Sequence, residues 1–78
     1  MILPEIGELW VESLSKQCLE RNFLDPNSDT DMRFLILSEG VDRGDGVYTY
    51  IIHNFGIDQI EEIELFLGGD AYEYRRIA

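Results

Sequence analysis

Apolar positions recur along this chain with two different rhythms. In PEIGELWVESLSKQCLERNF, residues 4–23, a spacing of 100° per residue puts Ile6, Trp10, Val11, Leu14 and Cys18 within one arc of about 140°. Glu5, Glu8, Glu12, Lys16 and Glu20 fall on the other side. Pro4 suits a first helical position, the early glutamates suit the positive end of a helix dipole, and Glu12 with Lys16 makes a favourable i,i+4 pair. The pattern predicts an N-terminal helix. Leu9 and Leu19 lie among its acids, outside the apolar arc.

The stretch LDPNSDTD then reads as a loop, because Pro26 disfavours helical geometry at Asp25 and Asn, Ser and Asp side chains bond their own backbone in turns. MRFLILS follows as a short apolar strand, with Phe34 and Ile36 on one face and Leu35 and Leu37 on the other. VYTYIIH, residues 47–53, is β-branched and aromatic throughout and predicts a second strand. Between them, SEGVDRGDGVY carries glycines at 40, 44 and 46 that permit a wide hairpin connection. Residues 57–67 fit two periods. Ile57, Ile60, Ile63 and Leu67 make a helical stripe, whereas Ile63, Leu65 and Leu67 alternate with Glu62, Glu64 and Phe66 as in a strand. The strand is favoured, with Gly68-Gly69 turning into AYEYRRI and Glu62 or Glu64 opposite Arg75.

These elements predict a single α+β domain over residues 1–78, with one helix packed on a small antiparallel sheet. The order is αββββ, with αββαβ as the alternative. If Val47, Thr49 and Ile51 face the helix, then Tyr48, Tyr50, Ile52 and Phe66 form an uncovered aromatic face.

Composition sharpens this picture. At 78 residues the stability margin is thin, and 45% apolar content is that of a folding chain. Sixteen acids against six bases set a net charge of −10, and two of the bases, Arg75 and Arg76, sit in the last four residues. Such a field repels nucleic-acid phosphates and anionic membranes and attracts basic proteins. Direct nucleic-acid or membrane binding is not expected. One cysteine, Cys18, cannot form an internal disulfide, and MILPEIGELW shows neither a basic n-region nor a long apolar run, which predicts a cytoplasmic setting.

Candidate chemistry is sparse. Asp25, Asn27, Asp29 and Asp31 have the spacing that opens an EF-hand, but Thr30 stands where glycine must turn the chain and Ile36 where a glutamate must close the shell. Glu39, Asp42 and Asp45 offer no complete metal shell, and Arg43-Gly44-Asp45 is too short to be specific. Cys18 and His53 have no second histidine or orienting partner that sequence can supply. No metal, cofactor or enzymatic activity is expected.

The expected function is therefore that of a small acidic binding protein that inhibits a basic protein. Its sharpest form is a nucleic-acid mimic, such as a phage-encoded inhibitor of a host nucleic-acid-binding defence enzyme or an immunity or antitoxin-like factor. The expected contact residues are Glu5, Glu8, Glu12, Asp25, Asp29, Asp31, Asp42 and Asp45, with Tyr48 and Tyr50 as aromatic anchors. The alternative is a structural or assembly subunit that acts through the aromatic face, as a homodimer or in a larger complex.

Overall fold

A computed structural model of the chain describes residues 2–25 and 27–78; Pro26, read above as a helix breaker, lies outside them. Its elements in chain order are β1 (Leu9–Leu14), α1 (Lys16–Arg21), β2 (Met32–Ile36), β3 (Val41–Gly44), β4 (Val47–Asn54), β5 (Gln59–Phe66) and β6 (Tyr72–Arg76). The architecture is mostly antiparallel sheet with one short helix, so the α+β expectation of a packed N-terminal helix is overturned.

The correction centres on residues 4–23. LWVESL satisfies both periods, because Trp10, Glu12 and Leu14 alternate with Leu9, Val11 and Ser13. Gly7 sits at φ +88°, a left-handed conformation that stops any helix from Pro4. Trp and Val lose side-chain freedom in a helix, and they fit a pleated surface well. Ser15 then caps α1, its hydroxyl accepting from the Cys18 N–H at 3.1 Å. Leu19, the residue the long helix left among acids, is buried at 2% exposure, while Cys18 is only partly covered.

Strand β4 is the hub of the sheet. Along one side it pairs with β5 over its whole length, from Val47 opposite Phe66 to Asn54 opposite Gln59. Along the other side it pairs with β3 at its start and with β2 at its end. β2 pairs with β1, and β1 pairs with β6. The expected glycine hairpin between residues 59–66 and 72–76 is absent among the described residues: Arg75 stands opposite Val11, not Glu62 or Glu64. Gly68 instead packs on Gly46, where an added Cβ would lie 2.5 Å from the Gly68 Cα.

Laid flat, β5 and β6 would lie about 19 Å apart, four strand spacings. Yet the Phe66 N–H donates to the Tyr74 hydroxyl at 3.0 Å, and the Phe66 and Tyr72 rings stack with centroids 5.7 Å apart. The sheet therefore curls into an open barrel, its two outer strands nearest each other at the β5–β6 connection. Trp10, Phe34, Ile36, Tyr50, Ile52 and Leu65 fill the inside, and full burial of each large apolar side chain contributes about 1.5–3 kcal/mol. The segment before β1 touches this interior at Pro4, which is buried and whose carbonyl accepts from the Tyr50 hydroxyl at 3.1 Å, while Ile2 and Ile6 stay exposed.

The stretch SEGVDRGDGVY is thereby resolved. It contributes β3 and a two-residue turn, Asp45-Gly46, with φ of 55° and 77° at the two positions. Positive φ at both central residues is the type I′ geometry, for which Asp-Gly is a favoured pair. The Gly46 carbonyl also accepts from the Leu67 and Gly68 N–H groups, which fastens the hairpin tip to the end of β5.

Candidate partner-binding surface

The three glutamates expected to line a helix occupy three different environments. Glu5 is exposed just before β1 and donates its backbone N–H to Glu8 Oε1 at 2.7 Å. Glu8 also accepts from Trp10 Nε1 at 3.1 Å and from Arg76 Nη1 at 2.9 Å. The Glu5 N–H above all, then Trp10 and Arg76, hold the Glu8 carboxyl below the usual glutamate range. Glu12 is half-buried on the inner face, where burial pushes its carboxyl up and the Tyr74 hydroxyl, donating at 2.7 Å, partly offsets this. The same burial, reinforced by Glu12, pushes the Tyr74 hydroxyl well above its ordinary value. Glu8 and Glu12 are thus engaged by partners within the fold, and no helical row of carboxylates exists at Glu5, Glu8 and Glu12.

The aromatic anchors are likewise relocated. Tyr50 is 1% exposed and belongs to the core, and Tyr48 is half-buried and packs against it. The face assignment is inverted: Tyr48, Tyr50 and Ile52 point inward, and Ile51 is 42% exposed. Gly40 lies against the Tyr50 ring, so closely that an added Cβ would meet its Cζ at 2.5 Å.

The expected aspartates stay outside. Asp25 and Asp29 accept from the backbone N–H groups of Asn27 and Asp31, so these side chains shape turns in the loop before β2. Asp31 pairs with Arg33 at 3.5 Å. Asp42 and Asp45 lie exposed at the β3–β4 hairpin, where Asp42 accepts from the Gly44 N–H. Arg43 turns back to donate to Thr49 Oγ1 at 3.0 Å. Of the sixteen acids, all but Glu8, Glu12 and Glu61 are exposed.

Three residues outside the expected set emerge on the outer face. Ile60, Glu62 and Glu64 are exposed along β5, with Ile60 at 69%. Their shared face was readable from the alternation of IEEIELF. That β5 pairs with β4 alone was not readable, because strand order depends on distant partners.

Two clefts flank the segment before β1, and Ile2 lines both. One, of about 620 Å³, has Trp10, Leu67, Tyr72, Tyr74 and Arg76 around it; the other, of about 690 Å³, has Pro4, Glu39, Gly40 and Tyr50. The first offers aromatic surface with a guanidinium, the second a carboxylate beside a tyrosine. Among the described residues no group of three or more His, Cys, Asp and Glu side chains is placed to hold a metal ion. His53 Nε2 lies 2.8 Å from Asp58 Oδ1, and Cys18 Sγ accepts from Asn22 Nδ2 at 3.6 Å. No described helix is long and apolar enough to cross a membrane. No family model, curated protein or solved structure matches the chain.

Proposed function

We propose that this chain is a non-enzymatic binding protein that occupies and inhibits a basic site on another protein, and that it works in the cytoplasm. The observation that carries the reading is the acidic exterior. Exposed acids stand in the loop before β2, at the β3–β4 hairpin and on β5 and β6, and they outnumber the bases. Among the described residues, Arg21, Arg33 and Arg76 are already paired with Asp70, Asp31 and Glu8. The field that remains steers a cationic surface inward. A nucleic-acid-binding enzyme is the partner class such a field favours, with Asp25, Asp29, Asp31, Asp42 and Asp45 as the contact carboxylates.

The test is affinity capture from native cells followed by a salt titration. Exposed charges are screened within about 10 Å at 0.1 M salt, so a captured basic partner should release steeply as salt rises. Charge reversal at Asp25, Asp29 and Asp31 should weaken capture. A partner that binds equally at high salt and to the reversed protein would sink the proposal.

A second reading, assembly through the sheet, is favoured by the exposed apolar side chains of Leu37, Ile51 and Ile60 on the outer face. It predicts a salt-insensitive dimer in solution that Ile60→Lys breaks. Tyr50→Asp does not serve as that test, since Tyr50 is core.

A further inference from the structure

The Phe66 N–H points away from β4, because it is donated to Tyr74 on the opposite side. The Leu67 N–H points the other way, to the Gly46 carbonyl at the β4 end. Backbone direction alternates along an antiparallel strand, so Gln59, Glu61, Ile63 and Leu65 bond to β4, and Ile60, Glu62 and Glu64 turn their N–H and C=O groups outward. Among the described residues nothing on the chain accepts from or donates to those outward groups. The side chains of the same three residues lie on the outer face. Eight residues long and free of proline and lysine, β5 lacks two usual devices that blunt an edge.

We propose that the free edge of β5 takes up an extended, cationic segment of the partner as an added antiparallel strand. This rests on the reading of the chain as a binder of basic proteins and names where the contact is made. The main chain of the incoming strand bonds to Ile60, Glu62 and Glu64. Its alternate side chains then stand beside those residues on the outer face, where lysine or arginine meets Glu62 and Glu64 and an apolar residue meets Ile60. A second copy of the chain is a poor occupant, because antiparallel pairing of two β5 edges sets the glutamates of one beside those of the other. The other free edges are less suitable. β3 is four residues long and carries a register shift, and β6 presents Arg75 and Arg76.

The experiment uses the full chain and a synthetic peptide of about ten residues, one strand length, that carries lysine at alternate positions except for a valine at the one that meets Ile60. Amide hydrogen exchange is followed with that peptide, with its glutamate counterpart, and with a lysine peptide N-methylated at alternate backbone nitrogens in each of the two phases. The expected result is slowed exchange at Ile60, Glu62 and Glu64 with the lysine peptide, loss of that protection in one methylated phase, and none with the glutamate peptide. The variant E62K/E64K should reverse the charge preference. Lysine-peptide binding without protection at these amides, equal binding of both methylated forms, or protection arising from self-association alone would overturn the proposal. Failure at the edge is distinguishable from failure of the broader reading. If a salt-sensitive partner is captured by E62K/E64K as well as by the native chain, the edge is wrong and the acidic reading stands.

Discussion

Tyr50 and Ile51 are adjacent in β4 and both are large, yet the first is 1% exposed and the second 42%. The difference follows from the curl of the sheet. Tyr50 turns into the barrel, where Gly40 lies on its ring and the Pro4 carbonyl accepts from its hydroxyl. Ile51 turns to the outside, opposite Glu62. The inner face is constrained by strands that meet from distant parts of the chain, and the outer face is free to carry charge. The inner face sets stability, and the outer face is available for contact around Ile51, Ile60, Glu62 and Glu64, whereas at Val11 and Thr49 it is covered as well.

The largest break in that comparison is expected at Tyr50. Tyr50→Ala empties the space between Gly40 and Ile63 and should cost about 3–5 kcal/mol, a large share of what a small domain has. Ile51→Thr should change stability by no more than about 0.5 kcal/mol. Urea unfolding of the two variants reads the contrast directly, and equal midpoints would refute the assignment of faces. Next in size is Gly46→Ala. It places a Cβ at φ +77° and against Gly68, and about 1–3 kcal/mol is expected for that backbone strain. Asp45→Asn, which tolerates the same positive φ, should be close to neutral by the same measurement.

Two acids sharpen the comparison by pH. Glu8 is held below the usual range, so the unfolded chain takes up its proton first and its stabilising contribution is lost as pH falls through the folded value. Glu12 is raised by burial, so the folded chain holds its proton longer and stability is lost as pH rises through the folded value. Glu8→Gln should flatten the acid limb of the stability profile, and Glu12→Gln the limb above the ordinary glutamate range. Unfolding midpoints across mildly acid to neutral pH would show this. Identical profiles for the two variants would mean that the environments are not opposed.

Much of the strand pattern was readable locally, and its assembly was not. Phe34 and Ile36 share a face in the sequence and are both buried, and the alternation at residues 59–66 does mark a strand. The Asp45-Gly46 turn also had a local signature, though the wider spread of glycines obscured it. Residues 9–14 were misread because six residues with a tryptophan, a valine and two leucines fit both a helical arc and a pleat. What decides between them is pairing of Trp10 with Phe34 and with Arg76, which no short window contains. A period of two likewise sorts Tyr50 from Ile51 without saying which face closes on itself. The candidate site shifted for the same reason, since Glu8 and Glu12 gain partners from β6 while Glu62 and Glu64 lie on a strand with a free edge.

The smallest expected effect is the one on which the outer face depends. Glu64 stands opposite Thr49 and Glu62 opposite Ile51, and neither carboxylate has an ion-pair partner among the described residues. Replacing either by lysine removes no contact that the fold uses and eases a charge of −10. Glu62→Lys and Glu64→Lys should therefore leave the unfolding midpoint within about 0.5 kcal/mol of the native chain, as exposed substitutions usually do. Ile63, between them, faces inward against Tyr50, and lysine there would have to bury its charge. A chain that tolerates Glu62→Lys and Glu64→Lys but unfolds with Ile63→Lys separates the two faces within three consecutive residues. A loss of stability at Glu64 comparable to that at Ile63 would show that the outer face is structural as well.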